Sequence, residues 1–198
     1  MVVTDASGRA AREQTIGPAP GRLEHVRAFV NTLDIEAGTD ELSSPAALTR
    51  WLWARDLIGS PQGQVTEDDL KQAISMREAL REVLLVHVGR QLPAEAPVSH
   101  LRAIAAGLAT RLEIREDGTV MPVPDGQVGA AGLAALLLIA AEAATLGTWP
   151  RLKICSADDC RWAFYDRSPA KSACWCSMAV CGSRAKSRAY RQRAAARR

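Results

Sequence analysis

Histidine is scarce in this chain of 198 residues: there are three, His25, His87 and His100. None lies in an HExxH helix, and no His-x-Glu deaminase signature is present, so two familiar zinc-hydrolase designs are excluded. Gly126, Gly129 and Gly132 lack the spacing of a dinucleotide loop, and no basic residue follows them as in a phosphate loop. The sequence therefore offers no support for an enzyme. Long apolar runs are missing too. The opening MVVTDASGRAAREQ contains no apolar stretch of signal-peptide length. The longest run, Ala130 to Ala141, is too short to span a bilayer and reads as a buried core helix. No membrane is implied, and a cytoplasmic protein is expected. Cysteine is absent before Cys155, and all five cysteines lie between Cys155 and Cys181. In a reducing compartment such clustering favours metal over disulfides.

The apolar fraction of 47% is enough for a buried core. The net charge of +3 hides an asymmetry, because the segment from Arg151 onward carries 12 Lys and Arg against 3 Asp and Glu, a balance of +9. The first 150 residues carry 13 against 19, a balance of −6. A basic end on an acidic body signals an anionic partner, since local charge sets the field a phosphate backbone feels.

The chain reads as mainly α with a small β-hairpin: a helical N-terminal domain, then a four-cysteine zinc finger ending in a basic helix. Residues 1–21 are small and polar and read as a flexible tail. Domain 22–149 begins with a helix from about Arg22 to Leu33 that places Val26, Phe29, Val30 and Leu33 on one face. Ser44 caps a second helix, with Pro45 at its first position and Leu48, Trp51 and Leu52 inward. Thr66 and Asp69 form a capping box for a third helix reaching about Arg90. A fourth covers about Val98 to Ala109. Arg111–Arg115 and Val120–Val123 form a hairpin around Asp117-Gly118, and a fifth helix covers about Val128 to Leu146. The boundary falls near Trp149, and 150–198 forms the second domain.

The cysteines are spaced Cys155-x4-Cys160, fifteen residues, then Cys176-x4-Cys181. Two short thiolate pairs can supply the tetrahedral corners that one structural Zn2+ requires. Buried cysteines without metal are the alternative; the matched pairs disfavour it. Gly182 fits a ligand turn with positive φ. Trp162-Ala163-Phe164-Tyr165 reads as a short strand over the metal core, and Cys174 as a free thiol.

These residues resemble a known family. Cys155-x4-Cys160, Phe164-x-Asp166-Arg167-Ser168, Trp175-Cys176-Ser177-Met178 and Cys181-Gly182-Ser183-Arg184-x-Lys186 are similar to the CGNR zinc finger. Phe29-Val30-Asn31-Thr32-Leu33, Trp51-Leu52 and Arg77-Glu78-Ala79-Leu80-Arg81 resemble the ABATE domain that precedes that finger. The resemblance runs from about Arg22 to Arg193 and implies a stress-induced bacterial transcription regulator. Two positions depart from the pattern: Ser183 replaces the motif's asparagine, and Cys174 stands where an arginine is usual.

From Ser183 the chain reads as a helix bearing Arg184, Lys186, Arg188, Arg191 and Arg193. Arg184, Arg188 and Arg191 share one face, and Lys186, Arg193 and Arg197 form a stripe beside Tyr190. This arrangement suits DNA phosphates; a solvated tail is the plain alternative. On the third helix, Arg77 and Arg81 fall in the same sector as Leu70, Ile74 and Leu84. Buried arginines need partners: an internal acid such as Asp34 or Glu36, or an anionic small-molecule effector in a pocket, or water reached from a border position. Asn31 and Thr32 either line the same effector pocket or pack at the edge of the first helix. The resulting expectation is a DNA-binding regulator with one structural zinc, an effector-sensing N-terminal domain and a possible homodimer. The alternative is a zinc-stabilised module binding RNA or protein.

Overall fold

The computed structural model describes residues 16–62, 65–91 and 96–195. Most of the expected tail, residues 1–15, and Arg197 and Arg198 lie outside the described residues. Helix α1 (Leu23–Val30) buries Leu23, Val26, Phe29 and Val30. It ends before Leu33, earlier than expected, because Leu33–Asp34 (β1) leaves the helix to pair antiparallel with Thr39–Asp40 (β2). In α2 (Pro45–Trp53) the Ser44 hydroxyl accepts the Ala47 N–H, and Leu48, Trp51 and Leu52 are buried as expected. Trp51 meets Phe29 edge to face, with centroids 5.5 Å apart.

Helix α3 (Glu67–Val83) has the expected capping box, in which Thr66 and Asp69 each bond the other's backbone N–H. It does not continue to Arg90. The chain tightens after Val83 into a 3-10 turn, Leu84–Val88, closed by Gly89 at φ 78°. That turn keeps Leu84 and Leu85 in the core and brings His87 to the C-terminal part of the chain. Helix α4 (Ala96–Ala106) packs on α3. Strands β3 (Thr110–Ile114) and β4 (Val120–Pro124) form the expected hairpin, with Leu112 opposite Pro122.

Helix α5 (Val128–Thr145) is long and apolar enough by composition to cross a bilayer, but here it is the central core helix. Leu133, Leu136 and Ile139 are buried along it. Gly132 permits its close approach to α2, since a Cβ there would lie 2.7 Å from Leu52 Cδ1.

The last strands, β5 (Leu152–Ile154) and β6 (Ala163–Tyr165), pair antiparallel. Leu152, Ile154 and Ala163 belong to the same hydrophobic core as α1, α3 and α5. Hydrogen bonds reinforce the join. His87 donates from Nδ1 to the Leu152 carbonyl at 2.7 Å. The Asn31 amide donates to the Ala163 carbonyl at 2.9 Å and accepts the Ala163 N–H at 2.7 Å. Asn31 thus acts as a one-residue strand partner for β6. Asn31→Ala is expected to destabilise the chain by about 2–3 kcal/mol, because both buried backbone groups of Ala163 lose their partner. Urea denaturation checks this, and a loss under about 0.5 kcal/mol would count against the role.

Candidate metal centre and nucleic-acid interface

Cys155 follows β5 directly, and Cys160 closes the turn before β6. The turn is held by Cys155 N–H to the Trp162 carbonyl at 2.9 Å and Cys160 N–H to the Ala157 carbonyl at 3.0 Å. Arg161, at φ 49°, takes the left-handed conformation that turns the chain back into β6. Cys176 precedes a π turn, Met178–Gly182, and Cys181 lies within it; the start of the turn is fixed by Ser177 Oγ accepting the Val180 N–H.

The positive φ expected at Gly182 is not found; Arg161 is the left-handed residue near a ligand. Gly182 instead gives room to Met178, whose Sδ would lie 2.5 Å from a Cβ at that position.

The four ligand sulfurs of Cys155, Cys160, Cys176 and Cys181 lie within 4.8 Å of one another. Cys160–Cys176 and Cys176–Cys181 separations are both 3.7 Å. A zinc tetrahedron with Zn–S bonds of about 2.3 Å has edges of about 3.8 Å, so the cysteines fit a single structural zinc. Cys174 stands outside the group, its carbonyl accepting the Ser156 N–H. Without a cation the thiols of Cys155, Cys160 and Cys176 compete for protons. Hydrogen bonds from Cys160 and Cys176 favour the thiolate at Cys155. Neighbouring sulfurs and burial push the thiols of Cys160 and Cys176 up. A divalent cation removes that conflict by favouring all four thiolates. Trp162, 1% exposed, roofs the sulfurs, and Ile16 and Trp175 pack beside them.

A buried ion pair braces the loop between the cysteine pairs. Lys153 Nζ donates to Asp166 Oδ2 at 2.7 Å and to the carbonyls of Lys171 and Ala173. Asp166 also accepts the N–H groups of Ser168 and Ala173. In the sequence Asp166 stands out only as part of the finger motif, and Lys153 not at all. The alternation of β5 offered no hint, since all three of its residues are buried.

Helix α6 (Ser183–Ala195) starts just beyond the last ligand. Its five candidate cations fall into two sets. Lys186, Arg191 and Arg193 are exposed and make no ion pair among the described residues. Tyr190, 69% exposed, lies on the same stripe as Lys186 and Arg193. Arg184 and Arg188 are engaged: Arg184 Nη1 donates to Glu36 Oε1 at 2.6 Å, and Arg188 Nη1 to Asp159 Oδ2 at 3.1 Å. Arg184 Nη2 also reaches Cys181 Sγ at 3.4 Å, a donor contact to a ligand sulfur.

Arg77 and Arg81 are buried as the apolar sector of α3 implied, at 2% and 1% exposed. The acids facing them are Asp40 and Glu78, not Asp34 or Glu36. Arg77 donates to Asp40 at 2.7 Å, to Glu78 at 2.8 Å and to Thr32 Oγ1 at 3.2 Å. Arg81 donates Nη2 to the carbonyls of Val30 and Leu33, a cation at the carbonyl end of α1. Burial lowers the Arg81 pKa, and Glu78 opposes the shift. Thr32, Arg77 and Arg81 therefore converge, whereas Asn31 faces β6. These four residues do not line one pocket together, since Asn31 faces β6; acids and carbonyls hold Arg77 and the Nη2 of Arg81, while Arg81 Nε and Nη1 are buried with no hydrogen-bond partner among the described residues.

Two family models cover this architecture. Residues 24–150 match ABATE, described as "Putative stress-induced transcription regulator", and residues 151–194 match the CGNR zinc finger. A search of curated proteins found no match.

Proposed function

The chain belongs to the ABATE family and carries a CGNR zinc finger, and from that premise we propose that it regulates transcription by contacting duplex DNA through α6. The observation that carries this reading is the exposed set Lys186, Arg191 and Arg193 on a helix that begins at the last zinc ligand. The zinc is structural: four thiolates fill its shell and leave no position for a reacting water. It fixes the origin and direction of the helix, while the cations supply the attraction to phosphate. Tyr190 adds an aromatic face between Lys186 and Arg193 that can pack on sugar or base. The acidic body, at −6 over the first 150 residues, turns away from a polyanion and leaves α6 foremost.

Binding to a duplex of mixed sequence should weaken with salt, with a log–log slope of about −3 to −4.5 for three to five phosphates. Lys186→Ala should flatten that slope by about one unit and weaken all sequences alike. Fluorescence anisotropy over a salt series measures both. Salt-independent binding, or stronger binding to single-stranded RNA than to duplex DNA, would move the function to an RNA or protein partner.

A further inference from the structure

Two of the five cations expected to lead DNA contact are already holding carboxylates. Arg184 presents both guanidinium amines to Glu36, at 2.6 and 3.4 Å. Asp159 lies between the two arginines, 3.9 Å from Arg184 and 3.1 Å from Arg188. Arg184 and Arg188 are one turn apart on α6, with side chains 34% and 42% exposed. Both border an open groove of about 490 Å³, together with Val180, Ser187 and Arg191. The cationic wall of that groove is therefore partly neutralised from behind. A carboxylate offers a guanidinium the same planar, two-oxygen face that a phosphate does.

We propose that Glu36 and Asp159 form an internal anion clamp, standing in for DNA phosphates on Arg184 and Arg188 and so limiting the affinity of α6 for nucleic acid. The inference rests on the DNA-binding reading above and specifies how that site is regulated. The two acids come from different places: Glu36 from the turn between β1 and β2, Asp159 from the turn between Cys155 and Cys160. Glu36 makes the clamp a point where the N-terminal body acts on the helix. Partly exposed ion pairs are individually weak, so the clamp attenuates binding rather than blocking it. Arg184 Nη2 also contacts Cys181 Sγ, a second hold beside the groove that does not depend on Glu36.

The test compares the full-length zinc-loaded protein with Glu36→Gln, Asp159→Asn and the double variant, using one duplex DNA over a salt series. Glu116→Gln, in the exposed turn between β3 and β4, is the control for loss of one negative charge. Equal zinc content verifies folding of each. The double variant should bind about three- to tenfold more tightly than wild type. Its salt slope should steepen by about one to two units as two further phosphates are engaged, with Glu116→Gln unchanged. If wild type binds DNA and the double variant binds no tighter with the same slope, or Glu116→Gln gains as much, the clamp is overturned and DNA binding stands. If neither wild type nor the double variant binds duplex DNA, the DNA reading falls and the clamp falls with it.

Discussion

A Cys176→Ser chain is expected to purify with less than about a tenth of an equivalent of zinc and with its finger unfolded. A structural zinc supplies on the order of 10–16 kcal/mol of folding free energy to a small module, and three thiolates do not retain that affinity. Cys176 stands 3.7 Å from both Cys160 and Cys181, so its loss opens one corner of the tetrahedron. The effect should spread, because Leu152, Ile154 and Ala163 share the core of α1 and α5. Thermal unfolding of the whole chain should shift down, not only a signal from the finger. Cys174→Ser is the matched control and should keep one equivalent. Metal analysis of the two proteins decides the ligand set: full zinc in Cys176→Ser would show that Cys174 or another donor serves. Chelation of the wild type should reproduce the unfolding. Acid should do so as well, since protonated thiols release the metal.

The second large effect concerns Lys153 and Asp166. Lys153→Met should cost about 3–5 kcal/mol at pH 7, because Asp166 is left as a buried carboxylate without a countercharge. Burial alone would push the Asp166 carboxyl up; the Lys153 ammonium and the N–H groups of Ser168 and Ala173 outweigh it and hold it down at about 2. Its folded pKa thus lies below the unfolded value, so its stabilisation is complete above about pH 4 and is lost as pH falls toward 2. The gap between wild type and Lys153→Met should accordingly be constant from pH 7 to about 5 and close below about 4. Urea denaturation at each pH with zinc in excess, the bound metal confirmed in both proteins, reads the difference while both remain loaded. A gap that widens with acid would contradict the pairing.

The amino-acid sequence by itself determined what depends on short separations. The cysteine pairs, the caps at Ser44 and Thr66, the Asp117-Gly118 hairpin and the apolar run of α5 are each written within a few turns of chain. Local stereochemistry and ligand number decide them. The sequence also placed Arg77 and Arg81 in the apolar sector, because helical periodicity is local. The partners of the long polar side chains were a different matter. Glu36 was one of two acids offered as a partner for Arg77 and Arg81, yet it meets Arg184, 148 residues away. For Asn31 the sequence left pocket lining and helix-edge packing equally open; it pairs with Ala163, 132 residues away. Lys153 carried no signal of burial at all. An arginine or lysine head reaches several ångströms from its backbone, and many acids in the chain are chemically equivalent partners. Only the packing of β5 and β6 into the helical core chose among them, because desolvation makes an unpaired charge costly and admits only the acid that the fold brings within reach.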